Sequence, residues 1–223
     1  MIDMQYAHLV GDLMLAVIWL ALILARRDLW REMVIVGSIM GGIAFSVGPL
    51  FFDYWKPLYM HPLGFEEFLY GFFSGGIASV IYEEVFGKRF AKRRDRHHHW
   101  PLIFLTVGLL SGLAFFYLLS IGILSIYASA LLLVLGGSIA LVFRHDLFAD
   151  AVVSGTSFAF LSAMFFIAYT SIFPTVVEAW WNTEHLVMIP YVQYPFEEIL
   201  WAFAFGFSAG SMYEFLAGLR FKK

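Results

Sequence analysis

The chain is written as long apolar runs separated by short polar breaks, and the length of the runs sets the kind of element they form. A helix needs roughly 20 apolar residues to cross the hydrocarbon of a bilayer. The pattern predicts seven such helices, at about 9–25, 33–52, 64–86, 101–119, 122–143, 147–173 and 195–218. Polar positions inside the runs are few, which makes each one informative. The most conspicuous are two glutamate pairs, Glu66-Glu67 and Glu197-Glu198, each opening a run that closes on Tyr-Glu, at Tyr82-Glu83 and Tyr213-Glu214.

These two runs are copies. Laying Phe65–Phe90 over Phe196–Phe221 at a constant offset of 131, without a gap, matches Glu66, Glu67, Leu69, Phe72, Gly75, Ala78, Tyr82, Glu83, Gly87, Arg89 and Phe90 with identical residues. Asp28-Leu29 after the first run corresponds to Asp146-Leu147 after the fifth. The pattern therefore predicts a three-helix repeat over residues 1–90, a basic loop and linker helix over 91–121, and a second three-helix repeat over 122–223. An odd number of helices per unit would invert the second copy, and the linker helix restores its direction. The expected fold class is an all-α integral membrane protein with seven transmembrane helices, two parallel three-helix repeats joined by a linker helix, related by an axis roughly normal to the membrane.

Composition agrees with that class. Hydrophobic residues make up 61% of the chain and charged ones 14%, with a mean hydropathy of +0.79, far from the balance of a soluble domain. The first run is expected to be a retained span, since Met1–His8 carries Asp3 and no basic residue, whereas a signal peptide opens on positive charge. Arg26, Arg27 and Arg31, the cluster from Lys88 to Arg96, Arg144, and Arg220, Lys222 and Lys223 all fall on one side of a seven-span frame; only Lys56 falls on the other. The positive-inside rule then puts the N-terminus outside and the C-terminus in the cytoplasm of a cell-membrane protein. The net charge of -3 adds little, because the two faces differ so strongly. There is no cysteine, hence no disulfide or thiolate chemistry.

Carboxylates inside apolar runs are costly and mark functional sites by default. In the parallel arrangement Glu66, Glu67, Glu197 and Glu198 share one depth near the outer end of the hydrocarbon, with Asp12 of the first run close to it. Consecutive residues project about 100° apart on a helix, so one Glu of each pair is expected to face the bundle while its neighbour faces a flank or the outer loop, bonded to backbone or an indole. Burial favours the neutral form of a carboxyl, and a second carboxyl nearby does so further, which would supply an acid at neutral pH. The structural alternative is a first-turn charge favoured by the helix dipole. Glu83 and Glu214 lie roughly 25 Å away along the helices and read as anchoring or ion-paired groups beside Arg89 and Arg220, and Glu84 as solvated.

Aromatic residues surround the outer acids. Tyr70 and Trp201 sit four residues beyond Glu66 and Glu197, on the same helix face, followed by Phe72 and Phe203; the outer loops add Tyr54, Trp55, Tyr59, Trp180, Trp181, Tyr191 and Tyr194. Interfacial Trp and Tyr are ordinary membrane anchors, yet an aromatic face also stabilises a cation. Acid beside aromatic walls suits carbocation chemistry.

Phe65-Glu66-Glu67-Phe68-Leu69-Tyr70 and Pro195-Phe196-Glu197-Glu198-Ile199-Leu200-Trp201 resemble the signature of the membrane-embedded lycopene cyclase domain: proline, any residue, Glu-Glu, then an aromatic. That family is a three-helix unit used in pairs, and its fused tandem form is similar to this chain over essentially its whole length. Two departures stand out. Pro62 lies four residues before Glu66 rather than two, and the Trp-Asp-Asn element associated with the family has only loose substitutes in Phe52-Asp53-Tyr54-Trp55 and Glu178-Ala179-Trp180-Trp181. The resemblance implies a redox-neutral, cofactor-free cyclisation of a linear carotene end, as in a lycopene beta-cyclase. Glu66, Glu67, Glu197 and Glu198 would move protons; Tyr70, Trp201, Phe72, Phe203 and Asp12 would line the substrate site. The substrate would be an apolar polyene or isoprenoid drawn from the lipid membrane, and no nucleic acid is implied.

No Gly-x-Gly-x-x-Gly fingerprint for a dinucleotide is present, which agrees with a redox-neutral reaction. His97-His98-His99 lies in a basic loop and reads as solvated rather than metal-binding, while His61 and His185 lie near the outer acids and could join a proton relay. A small membrane carrier, an isoprenoid- or lipid-binding protein, or a non-catalytic scaffold is the alternative, although the carboxylate-bearing helices have no proline to break them.

Overall fold

The computed structural model describes residues 4–56, 64–87, 90–92, 100–190 and 194–221. Nine helices lie within them: α1 (Ala7–Ala25), α2 (Trp30–Val47), α3 (Phe65–Phe86), α4 (Trp100–Ser120), α5 (Ser125–Phe143), α6 (Phe148–Ile172), the short α7 (Val176–Trp180), α8 (Phe196–Gly210) and α9 (Met212–Ala217). A one-residue break at Ser211 separates α8 from α9. The protein is an all-α multi-pass membrane protein. Six of its helical stretches are long and apolar enough to cross a bilayer. The 22-residue α3 matches them in length and carries Glu66, Glu67, Glu83 and Glu84.

The helices present apolar side chains outward as well as inward, as lipid requires. Leu9, Leu13, Val17, Leu20 and Leu24 are exposed along α1, and Leu102, Leu105, Leu109 and Leu113 along α4. The inner faces of α3 and α8 are made of small residues. A Cβ on Gly75 would come within 2.7 Å of Met40 Cβ, and one on Gly206 within 2.7 Å of Phe158 Cβ. Glycine thus lets α3 press into α2 just as α8 presses into α6, the close packing that drives association in lipid.

The glutamate helices run side by side in the same direction. Tyr70 stacks on Trp201 with ring centroids 6.5 Å apart. Further along, a Cβ on Gly210 would lie 3.6 Å from the Ala78 carbonyl. Beyond the helix ends Phe90 pairs with Phe221 in a two-stranded antiparallel ladder of β1 (Phe90–Lys92) and β4 (Leu219–Phe221). A second small ladder, β2 (Met188–Ile189) with β3 (Tyr194–Pro195), leads into α8. Both glutamate helices end on a left-handed glycine, Gly87 (φ 58) and Gly218 (φ 64), a conformation that glycine adopts at little cost.

A matching device ends α1 and α5. Arg26 donates to both carboxylate oxygens of Asp28, at 3.0 Å each, and through Nη1 to the carbonyl of Glu83 at 3.1 Å. Arg144, 118 residues on, donates to both oxygens of Asp146 at 2.8 Å and to the carbonyl of Glu214 at 3.1 Å. Each arginine folds back on the aspartate two residues later and ties the turn to the far end of its own glutamate helix. These are the groups that anchor the Tyr-Glu ends. The expected pairing of Glu83 and Glu214 with Arg89 and Arg220 involves side chains outside the described residues, as do Tyr59, His61, His97-His98-His99 and Tyr191.

Candidate functional site

Between α1, α2, α3, α6 and α8, at the end carrying the glutamate pairs, lies a cavity of about 230 Å³. Its lining is mostly aromatic and aliphatic, extends to α5 through Ile126, Ser129 and Leu133, and includes the polar groups of His8, Asp12, Tyr54, Glu67 and Glu198. The second glutamate of each pair faces this space. Both pairs fall in the first turn of their helices, α3 behind an extended Gly64 and α8 behind an extended Pro195, where the helix dipole favours a carboxylate. Because Glu67 and Glu198 are equivalent at the 131-residue offset, two copies of one position converge on one cavity.

Their surroundings differ. Glu198 Oε1 accepts hydrogen bonds from the Tyr54 hydroxyl at 2.9 Å and from the Trp181 indole at 2.8 Å. Burial and the neighbouring Glu198 carboxylate push the Tyr54 phenol well above its ordinary range, so it stays a donor. Two donors on one oxygen suit a group that carries or accepts negative charge. Glu67, equally buried, has no hydrogen-bond partner for Oε1 among the described residues. Its carboxyl is cradled against Gly48, where a Cβ would lie 3.0 Å from Glu67 Cδ. Nearby on α1, His8 Nδ1 stands 3.6 Å from Asp12 Oδ2, one helical turn away, and the His8 ring lies 6.0 Å from that of Trp180.

The first glutamates of the pairs point elsewhere. Glu197 is buried and accepts from the Tyr127 hydroxyl at 2.8 Å and from the Val187 backbone N–H at 3.1 and 3.2 Å, which fastens the start of α8 to α5 and to the loop before β2. Glu66 is half-buried and absent from the cavity lining. Of the predicted aromatic residues, Tyr70 and Trp201 line the cavity and stack on each other. Phe72 and Phe203 do not. Their rings turn to the helix interfaces, where a Cβ on Gly37 would lie 3.2 Å from Phe72 and one on Gly155 3.1 Å from Phe203. The one-turn advance from Tyr70 and Trp201 is incomplete at two residues, which rotates both phenylalanines away from the cavity. His185 is exposed and is not part of the lining.

His8 went unnamed as a site group in the sequence reading, and Tyr54 and Trp181 were named there only as loop aromatics. His8 is signalled by its four-residue spacing to Asp12 on one helix face. Tyr54 and Trp181 belong to the two segments that stand as loose substitutes for the family's Trp-Asp-Asn element, and they act together. Trp55 and Trp181 form an antiparallel bridge, and the Tyr54 carbonyl accepts from the Asn182 N–H at 2.9 Å. Asp53 completes this layer by accepting from the backbone and hydroxyl of Ser125, at 2.7 and 2.5 Å, at the start of α5.

An aromatic cavity that holds two buried carboxyl groups, in a multi-pass helical membrane protein, suits acid–base chemistry on an apolar molecule. Residues 124–216, from the start of α5 through most of α9, match the family model described as lycopene cyclase, a similarity that supports a carotene-cyclase-like function. The match holds the second glutamate pair, while the first is tied to it by the internal repeat. No curated protein and no solved structure matches the chain.

Proposed function

We propose that the chain is a redox-neutral carotenoid cyclase that closes a ring at the end of a linear carotene of the lycopene type, in the manner of a beta-cyclase. In this reading seven spans form two parallel three-helix repeats, 1–90 and 122–223, with 91–121 as loop and linker. The N-terminus lies outside and the cavity opens towards the outer half of the membrane.

The observation that carries the proposal is the meeting of Glu67 and Glu198 at one aromatic cavity, the first with Oε1 unbonded among the described residues and the second held by two donors. Glu67 donates its proton to the terminal double bond of the polyene. The cation is attacked by an internal double bond, forming the ring carbon–carbon bond, and the resulting ring cation loses a different proton to a carboxylate. One proton enters, one leaves, and no electrons are exchanged. Glu198, oriented by Tyr54 and Trp181, is the acceptor. His8 and Asp12, which line the same cavity, return a proton to Glu67 in this reading.

Tyr70 and Trp201 present their faces to the cationic stage, where an aromatic ring contributes about 0.5–2 kcal/mol. Glu66 and Glu197 hold the helix starts in place. The cavity exceeds the ~150 Å³ that holds benzene and falls short of the ~300–1,000 Å³ of a pocket enclosing a drug-sized ligand. A single end group fits inside while the rest of the chain remains in lipid. Expression in cells that accumulate lycopene, with chromatographic identification of the pigments, tests the proposal. Ringed carotene with the native protein, and none with Glu67→Gln or Glu198→Gln at equal expression, is expected. Unchanged lycopene with the native protein would refute it.

A further inference from the structure

The opposite end of the bundle holds a second group of acids that the cyclisation does not use. Glu32 on α2, Glu83 on α3 and Glu214 on α9 each offer a carboxylate oxygen, and these oxygens all lie within 4.8 Å of one another. Asp150 on α6 stands to Glu32 as Arg144 stands to Arg26, 118 residues apart, and interacts electrostatically with Glu32, Glu83 and Glu214 without belonging to the 4.8 Å group. All four side chains are at most 1% exposed. Each repeat thus contributes two acids, one from the helix that opens after the arginine turn and one from the end of the glutamate helix.

What points to a ligand is the lack of partners. Both carboxylate oxygens of Glu32, of Glu83 and of Glu214 are buried without a hydrogen bond among the described residues, as is Asp150 Oδ2; Asp150 Oδ1 accepts from Ser154 at 3.2 Å. The guanidinium groups of the two arginine turns, Arg26 and Arg144, bind Asp28 and Asp146 and main-chain carbonyls. Burying carboxylates without compensation is very costly. Oxygen-only donors of high negative charge suit a hard divalent cation. Two oxygens on opposite sides of a calcium ion, each about 2.3–2.6 Å from it, lie roughly 4.6–5.2 Å apart, and about 4.1 Å apart around magnesium. The three oxygens all lie within 4.8 Å of one another, no farther apart than oxygens around one calcium ion can be.

We propose that Glu32, Glu83 and Glu214, with Asp150, bind one hard divalent cation where the two repeats meet, roughly 25 Å along the helices from the cavity. The ion clamps α2, α3, α6 and α9 and is structural. The full chain, purified in detergent, is tested by elemental analysis and by thermal unfolding before and after chelation, with calcium, magnesium and manganese restored separately. About one ion per chain is expected. Chelation should lower Tm on the order of 5 °C, and 1 mM of the fitting ion should restore it.

Glu83→Gln/Glu214→Gln should hold no ion and show no shift. Should that double variant fail to fold, Glu32→Gln alone is expected to weaken binding at least tenfold. Native protein without an ion and without a response to chelation or added metal would overturn the proposal, leaving protons as the compensating charge. Equal metal retention by the variants would overturn it as adventitious binding. None of these readouts depends on cyclase activity, so the two proposals fail separately.

Discussion

Replacing Tyr54 by Phe removes one hydroxyl and leaves the ring, which isolates what the bond to Glu198 does. In the native protein Glu198 Oε1 receives Tyr54 at 2.9 Å and Trp181 at 2.8 Å, in a site from which water is largely excluded. A hydrogen bond to a charged group contributes about 1.5–3 kcal/mol. Because Trp181 still reaches the same oxygen, the expected loss is at the lower end, about 1–2 kcal/mol, or roughly 5–30-fold in rate if Glu198 acts as a carboxylate. The same reasoning applies to Trp181→Phe. Since both donors serve one oxygen, the double variant should lose more than the product of the single effects, as neighbours in one network do. The assay is ring formation per folded protein, with lycopene in mixed detergent–lipid micelles and expression normalised by an attached fluorescent reporter. A fall in yield of folded protein at unchanged turnover would refute the reasoning, because it would make Tyr54 a purely structural tie between the loops.

Trp201→Leu keeps apolar volume and removes the aromatic face, and should slow ring formation about 2–30-fold while leaving folded yield near native, measured in the same assay. Glu197→Ala leaves the Tyr127 hydroxyl and the Val187 N–H without their acceptor, and should lower stability by about 1–3 kcal/mol, seen as a drop in Tm. Arg144→Met strands the carbonyls of Glu214 and Leu219, both bonded to a fully buried guanidinium. It should cost at least about 2 kcal/mol and exceed the cost of Arg26→Met, whose side chain is 19% exposed.

The long helices were legible because run length and apolarity carry their own signal, and every predicted span has a helix at its position. The 100° step separates the members of each glutamate pair, but the sequence assigned proton transfer to all four and did not say that Glu67 and Glu198 are the two that line the cavity. Tyr70 and Trp201 followed from spacing, whereas Phe72 and Phe203 were misassigned because aromatic composition does not report which neighbour a ring packs on. The partners of Glu198 were hidden for another reason. Tyr54 is 144 residues from it, and the two loops are brought together by the bridge between Trp55 and Trp181 and the backbone bonds beside it.

The acid group at the far end escaped notice because the repeat changes register. Between α6 and α8 the chain inserts α7 and the β2–β3 ladder, so the offset of 118 at Arg26 and Arg144 becomes 131 at the glutamate helices. Glu32 and Asp150 differ in identity as well, and no single sliding offset aligns all four acids. Their association is a property of packing, of α2 on α3 and α6 on α8, which small residues permit and the sequence pattern alone does not display.

The central claim is that ring closure proceeds by entry of one proton and loss of another, without electron transfer. Incubating the purified protein with lycopene in deuterated water, followed by mass spectrometry of the product, tests it most directly. The account predicts one deuterium per ring formed in a product otherwise isomeric with its substrate, and no product from Glu67→Gln. A ringed product without deuterium, or one whose mass shows net gain or loss of two hydrogens, would contradict it.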